Sequence, residues 1–178
     1  MQLRHQNKLI LVGFMGTGKS SVGSRLAEWL GWPLIDSDAA IVRDQNRDIS
    51  SIFATDGETA FREIESRVLA SLLQTPDRAV VSTGGGAVLK EENRKLMRKT
   101  GIVVALKASP DRIVSRVLQD ETRPLLDGDV QGRVYRLLEE RKHAYDFAHF
   151  TLDTTEMSVD DVAAAIISMT NHVAKENT

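Results

Sequence analysis

The chain contains no cysteine, which excludes a disulfide framework, thiolate metal sites and a cysteine nucleophile. A reducing compartment fits that zero, which by itself locates nothing. Neither sign of charge is in excess: 23 Lys and Arg stand against 25 Asp and Glu, a net charge of −2. No basic surplus is therefore available to recruit nucleic acid or an anionic membrane. No apolar run approaches the ~20 residues of a membrane-spanning helix. The polar stretch Met1–Lys8 shows no leader pattern and no cleavage site. Aromatic residues make up only 5% of the chain, which leaves little material for stacking a nucleobase acceptor. What remains is 178 residues of ordinary hydrophobic and charged content, expected to form one soluble, cytoplasmic domain.

Against these absences stands one dense run. Residues 13–20 read Gly-Phe-Met-Gly-Thr-Gly-Lys-Ser, the pattern G-x-x-x-x-G-K-[ST]. The apolar run Leu9–Val12 precedes it, and an amphipathic stretch from Ser21 to Leu30, closed by Gly31, follows. Strand, glycine loop and helix are the context that this motif requires. Gly13, Gly16 and Gly18 can take positive φ, so successive N–H groups turn inward around a phosphate chain. The helix adds the positive end of its dipole at the same point. Lys19 can reach the outer phosphates, and the Ser20 hydroxyl suits Mg²⁺. The run implies binding of a nucleoside triphosphate.

Short apolar runs alternate with amphipathic stretches along the rest of the chain. Strands are expected at Leu9–Val12, Pro33–Ile35, Ala79–Ser82, Ile102–Leu106 and Phe150–Leu152. Helices are expected at 19–30, 38–46, 58–74, 90–99, 110–120, 131–144 and 159–173. This alternation predicts an α/β fold: a doubly wound, five-stranded parallel sheet flanked by helices, with its ligand crevice at the carboxyl ends of the strands. Residues 121–131 carry Pro124 and Gly128 and no period; such a loop is either a mobile lid or a surface connection.

Asp36-Ser37-Asp38 closes the second strand. In an extended chain that spacing puts both carboxylates on one face, toward the crevice. One carboxylate can hold Mg²⁺ through water and the other can accept a hydroxyl proton; alternatively, Asp38 caps a helix starting at Ala39. The third strand ends Val81-Ser82-Thr83, without the carboxylate many phosphate-loop proteins carry there, which puts the metal-associated role on Asp36. Gly84-Gly85-Gly86 follows, either to admit a ligand close to the backbone or to make a tight turn. Arg62 has Glu58 and Glu65 at ladder spacing, which a solvated salt-bridge row explains equally well. Arg116 and Arg141 are ordinary helix residues, whereas Arg123 in the 121–131 loop could meet a transferring phosphoryl group. His5, His143, His149 and His172 lack metal-site spacing. Trp29 and Trp32 read as packing residues, and Lys90–Lys99 as a solvated helix face.

Taken together, G-x-x-G-x-G-K-S at 13–20, D-x-D at 36–38, Phe-Ala-Thr-Asp-Gly-Glu at 53–58, F-R-x-x-E at 61–65, G-G-G at 84–86, R-P-L-L at 123–126 and E-R-x-x-x-Y at 140–145 resemble the shikimate kinase family of phosphate-loop, nucleoside-monophosphate-kinase-like proteins. The resemblance runs to about Tyr145. It implies a single kinase domain over 1–178, a lid near 121–131 and a shikimate-binding helical region near 38–66. The implied reaction is Mg²⁺-dependent transfer from ATP to the 3-hydroxyl of shikimate, in aromatic amino acid biosynthesis, by a monomer. The match assigns Gly16, Thr17, Gly18, Lys19, Ser20, Ser21, Arg116 and Arg123 to ATP, and Ser20 and Asp36 to Mg²⁺. Asp38, Arg62, Gly84, Gly85, Gly86 and Arg141 fall to shikimate, with Lys19, Asp38 and Arg123 catalytic. His143 stands where the family often has proline, and residues Asp153–Val159 match poorly. Two other readings fit the phosphate loop: a kinase for another small molecule such as gluconate, and a non-catalytic nucleotide-binding domain.

Overall fold

The computed structural model describes residues 7–119 and 129–176, the last five as backbone only. Five strands, β1 (Lys8–Gly13), β2 (Leu34–Asp36), β3 (Ala79–Ser82), β4 (Gly101–Lys107) and β5 (Phe150–Asp153), form one parallel sheet in the order β2-β3-β1-β4-β5. Among the described residues six α-helices lie between the strands, α1 (Lys19–Leu30), α2 (Ser37–Gln45), α3 (Ile49–Leu73), α4 (Glu91–Thr100), α5 (Pro110–Leu118) and α6 (Val130–Glu140), and α7 (Val159–Glu176) follows the last strand. Alternate side chains of β1 face opposite ways, as the strand period dictates. Ile10 and Val12 join Val81, Val103, Leu69, Met97 and Ile113 on one face of the sheet. Leu9 and Leu11 join Val104, Leu26, Val162 and Ile166 on the other. Both faces of the central strands β1, β3 and β4 are thus covered, which is why these read as apolar runs. Among the described residues, no helix is long and apolar enough to cross a membrane.

Several expectations need correction. The helical run expected over 58–74 does follow Gly57, which leaves helical geometry (φ 82, ψ 173), but a second run from Ile49 up to that break was not expected, and the two together make α3. The second helix begins at Ser37 with Asp36 as its cap, the Asp36 carboxylate accepting from the Ala39 N–H at 3.0 Å. Asp38 therefore sits in a helical first turn, and the shared-face argument from an extended chain does not apply. The helix over 131–144 runs from Val130 to Glu140. Beyond it, the chain folds through successive turns (Ala144 N–H to Arg141 carbonyl, 2.9 Å; Ala148 N–H to Tyr145 carbonyl, 3.1 Å) that bury Tyr145. The His143 imidazole meets only the exposed Asp146 carboxylate, at 2.9 Å, past the helix end. Trp32 packs against the second apolar cluster, but Trp29 is 46% exposed beneath the Arg25 guanidinium. Of the 121–131 loop, residues 121–128, Arg123 included, lie outside the described residues; its final residues open α6, capped by Asp129.

Candidate active site

The parallel sheet gathers its strand ends at one edge, and a cavity of about 560 Å³ opens there. The loop after β1 forms its floor. Gly13, Gly16 and Gly18 adopt φ of 150°, 75° and 94°, as the sequence predicts. Gly18 is the N-cap of α1, with no side chain across the helix end, so the first-turn N–H groups face the cavity with the dipole behind them. The Lys19 ammonium folds over the loop, donating to the Gly13 carbonyl at 2.8 Å and the Phe14 carbonyl at 2.9 Å. Ser20 and Ser21 begin the helix at the cavity wall.

The loop after β3 forms the second half, one strand away. Its glycines make room for side chains of this protein. A Cβ on Gly84 would lie 2.5 Å from Asp38 Oδ1, and one on Gly86 would lie 2.4 Å from the Arg62 guanidinium. Asp38 and Arg62 are thereby seated against bare backbone, and the Ser37 hydroxyl accepts from the Gly84 N–H at 3.0 Å. Gly85 packs against the phosphate loop, where a Cβ would stand 3.5 Å from the Gly13 carbonyl. The Tyr145 hydroxyl donates to the Gly85 carbonyl at 3.0 Å, and burial raises the Tyr145 pKa.

Arg62 does pair with Glu58 (3.3 Å) and Glu65 (2.7 Å), yet the pairing is not a solvated ladder, since Glu65 is only 2% exposed. Burial pushes the Glu65 carboxyl above its usual range against the opposing pull of Arg62. The Arg62 Nε–H is buried with no hydrogen-bond partner among the described residues. An orphan donor beside a cavity suits an anionic ligand. Arg141, at the end of α6, lies over the Phe14 ring at 5.8 Å and faces the same space.

On the opposite wall, Arg116 donates to the Gly16 carbonyl (3.0 Å) and the Thr154 carbonyl (3.3 Å). Burial, then Arg112, lowers its pKa. Of the residues expected at the site, Gly16 to Ser21, Asp36, Asp38, Arg62, Gly84 to Gly86, Arg116 and Arg141 all line this one cavity; Arg123 lies outside the described residues. Sequence reasoning missed the burial of Glu65 and the apolar wall from Ile49 and Phe53, and it left the contacts of the Asp153–Val159 loop unassigned, of which Thr154, Met157 and Val159 line the cavity. The F-R-x-x-E spacing was the available signal for Glu65; nothing local marked Thr154.

The shikimate kinase family model matches residues 15–171. The curated shikimate kinase of Geobacter metallireducens is 46% identical over 159 residues, covering 89% of this chain and 88% of the relative. The structure of a shikimate kinase from Acinetobacter baumannii in complex with shikimate is 36% identical, with a TM-score of 0.87 over 94% of each chain. A gluconokinase from Sinorhizobium meliloti shares the fold alone, at 18% identity and a TM-score of 0.67 over 98% of this chain and 99% of that one. By family match and identity together, this chain belongs to the shikimate kinase family.

Proposed function

We propose that this chain transfers the γ-phosphoryl group of ATP to the 3-hydroxyl of shikimate, giving shikimate 3-phosphate and ADP. The observation that carries the reading is the seating of Asp38 against Gly84 and Arg62 against Gly86, one strand from a phosphate loop. The acceptor is an anion. Arg62, with its buried unpartnered Nε–H, and Arg141 supply guanidinium forks for its carboxylate. Glu65 holds the Arg62 fork from behind. Asp38 takes the hydroxyl proton as the new oxygen–phosphorus bond forms and the bond to the ADP oxygen breaks. Gly16, Thr17, Gly18, Lys19, Ser20 and Ser21 receive the phosphates and Arg116 the base side, while Arg123 meets the transferring group from a lid over 121–131.

Mg²⁺ fits the donor set. Ser20 offers a hydroxyl, and Asp36 keeps one carboxylate oxygen beyond the one capping α2. No group of three or more His, Cys, Asp or Glu able to hold a metal occurs among the described residues. So sparse a set suits an ion that retains waters and takes its other ligands from phosphates. When bound, it neutralises charge on the phosphate oxygens.

Residues 1–178 act as one domain, with 38–66 as the acceptor-binding region, and as a monomer; activity that rises with dimer content in sedimentation would contradict this. Dependence on ATP supports a cytoplasmic setting. A coupled ADP-release assay with Mg-ATP, run with shikimate, gluconate or no acceptor, tests the reaction. Shikimate-dependent turnover is expected. Turnover with gluconate alone would discard the acceptor pocket, and ATP binding without any turnover would leave a non-catalytic nucleotide-binding domain.

A further inference from the structure

We infer that Thr154 is a positioning residue for the phosphate loop, its hydroxyl fixing the direction of the Gly18 N–H. Thr154 follows β5 and is 3% exposed. Its hydroxyl stands 3.1 Å from both the Thr17 carbonyl and the Lys107 carbonyl, across 137 and 47 residues of sequence. The Lys107 carbonyl already accepts the Thr154 N–H at 2.7 Å, so the hydroxyl proton matters most to Thr17, itself only 1% exposed.

The consequence follows from peptide geometry. No peptide bond is cis among the described residues, and a planar trans unit points its C=O and N–H in opposite directions. Holding the Thr17 oxygen against Thr154 therefore turns the Gly18 N–H the other way, toward the concave side where Lys19 and Ser20 start α1. Glycine at φ 94° gives this peptide more freedom than any other residue would, so an outside anchor has something to restrain. Arg116 supplies a matching anchor one residue earlier. It bonds the Gly16 carbonyl with one nitrogen and the Thr154 carbonyl with the other. Two successive loop carbonyls are thus held, Thr17's by Thr154 directly and Gly16's by Arg116 of α5, which itself rests on Thr154. The Thr17 N–H is occupied by the Phe14 carbonyl at 3.4 Å, so the Gly18 N–H is the donor oriented before a phosphate arrives. Donors fixed in advance bind an anion more tightly than donors that must first turn.

The inference deepens the reading of this loop as the ATP site. Its test is calorimetric binding of ATP, which needs no acceptor turnover, so failure of the shikimate assignment would be seen separately in the wild type. Thr154→Val keeps the side-chain shape and removes the hydroxyl; Thr154→Ser keeps the hydroxyl. Thr154→Val is expected to raise the ATP Kd about tenfold, the equivalent of one net hydrogen bond. The shikimate KM should stay within about twofold, a split that general loosening of the fold would not give, and Thr154→Ser should restore ATP affinity. Should Thr154→Val melt below the assay temperature, Thr154→Ala is read against Thr154→Ser in its place. An ATP Kd unchanged without the hydroxyl, a shikimate KM rising in step with it, or a Ser variant as weak as Val would each overturn the inference.

Discussion

Adding one methyl group at residue 84 should disable Asp38, the proposed base, without unfolding the protein. In Gly84→Ala the new Cβ would lie 2.5 Å from Asp38 Oδ1, where ordinary contact begins at 3.4 Å. The carboxylate must then retreat by about 0.9 Å, the difference between those distances. The Gly84 φ is not in the left-handed region, so alanine adds no backbone strain. The displaced atom is the tip of a side chain, so the melting temperature should fall by less than about 4 °C, under ~1 kcal/mol for a domain of this size. Catalysis is less forgiving: a misplacement of about 1 Å costs on the order of 10² in rate, or ~2.7 kcal/mol of barrier. The neighbouring glycines provide controls. Gly86→Ala would put its Cβ 2.4 Å from the Arg62 guanidinium, so its main effect should be a rise of about tenfold in shikimate KM, as lost ground-state binding would give. Gly85→Ala meets nothing closer than 3.5 Å and should stay within about threefold of wild type in both constants, since no catalytic group is pushed. Steady-state ADP release with shikimate, alongside calorimetric ATP binding, reads all three. A Gly84→Ala enzyme with kcat within threefold of wild type would refute the reasoning, as would equal losses at all three positions.

Other consequences can be measured on the same enzyme. Asp38→Asn should lower kcat by about 10²–10⁴ while ATP binding stays within about threefold, as for a positioned base; a larger loss of ATP affinity than of turnover would contradict that role. Burial raises the Glu65 pKa above its ordinary 4.5, so its contribution to stability is complete below about pH 4.5 and is lost as pH rises through its folded value. Glu65→Gln should therefore melt no lower than wild type at pH 7.5, yet raise shikimate KM about tenfold by loosening Arg62; a lower melting point with KM unchanged would reverse both statements. The His149 Nδ1 accepts the Val103 N–H at 2.9 Å, and burial, then Arg98, lowers the His149 pKa below 6.5. Its stabilising contribution is complete above about pH 6.5 and is lost as pH falls through the folded value. The melting temperature should drop between pH 7.5 and 5.5, and the slope should flatten in His149→Gln; an identical slope in the variant would assign it to other groups.

Much of this was legible because the physics is local. All five strands lie within two residues of their expected ends; β1, β3 and β4 are buried almost throughout and cannot hide their apolar runs, while the edge strands β2 and β5 are only partly covered. The phosphate loop was readable because its glycines serve the backbone of their own segment. The misreadings have tertiary causes. The helical run from Ile49 up to Gly57 went unread, because its Ile52 is buried beside Phe61 and Val68 of the run that follows the break. Asp36-Ser37-Asp38 looked like a strand end because its cap depends on where α2 turns away. Glu65 could pass for a surface residue until the loop after β3 closed over it, and Thr154 gained a role only when residues 137 positions apart met. Side chains that work through another segment leave the weakest trace in their own.

The strand order has one further consequence. β1 and β3 are hydrogen-bonded neighbours, paired from Lys8 with Ala79 to Leu11 with Ser82, and each delivers one half of the cavity from its carboxyl end. The strands that carry the two halves are therefore held a β-ladder spacing apart, about 4.8 Å, a fixed ruler beneath both loops. Redesign toward a longer or shorter acceptor cannot lengthen that ruler without tearing the sheet. Changes in reach must come from α2, α3 and Arg141 at the end of α6, whose side chains can be exchanged while the scale beneath them stays fixed.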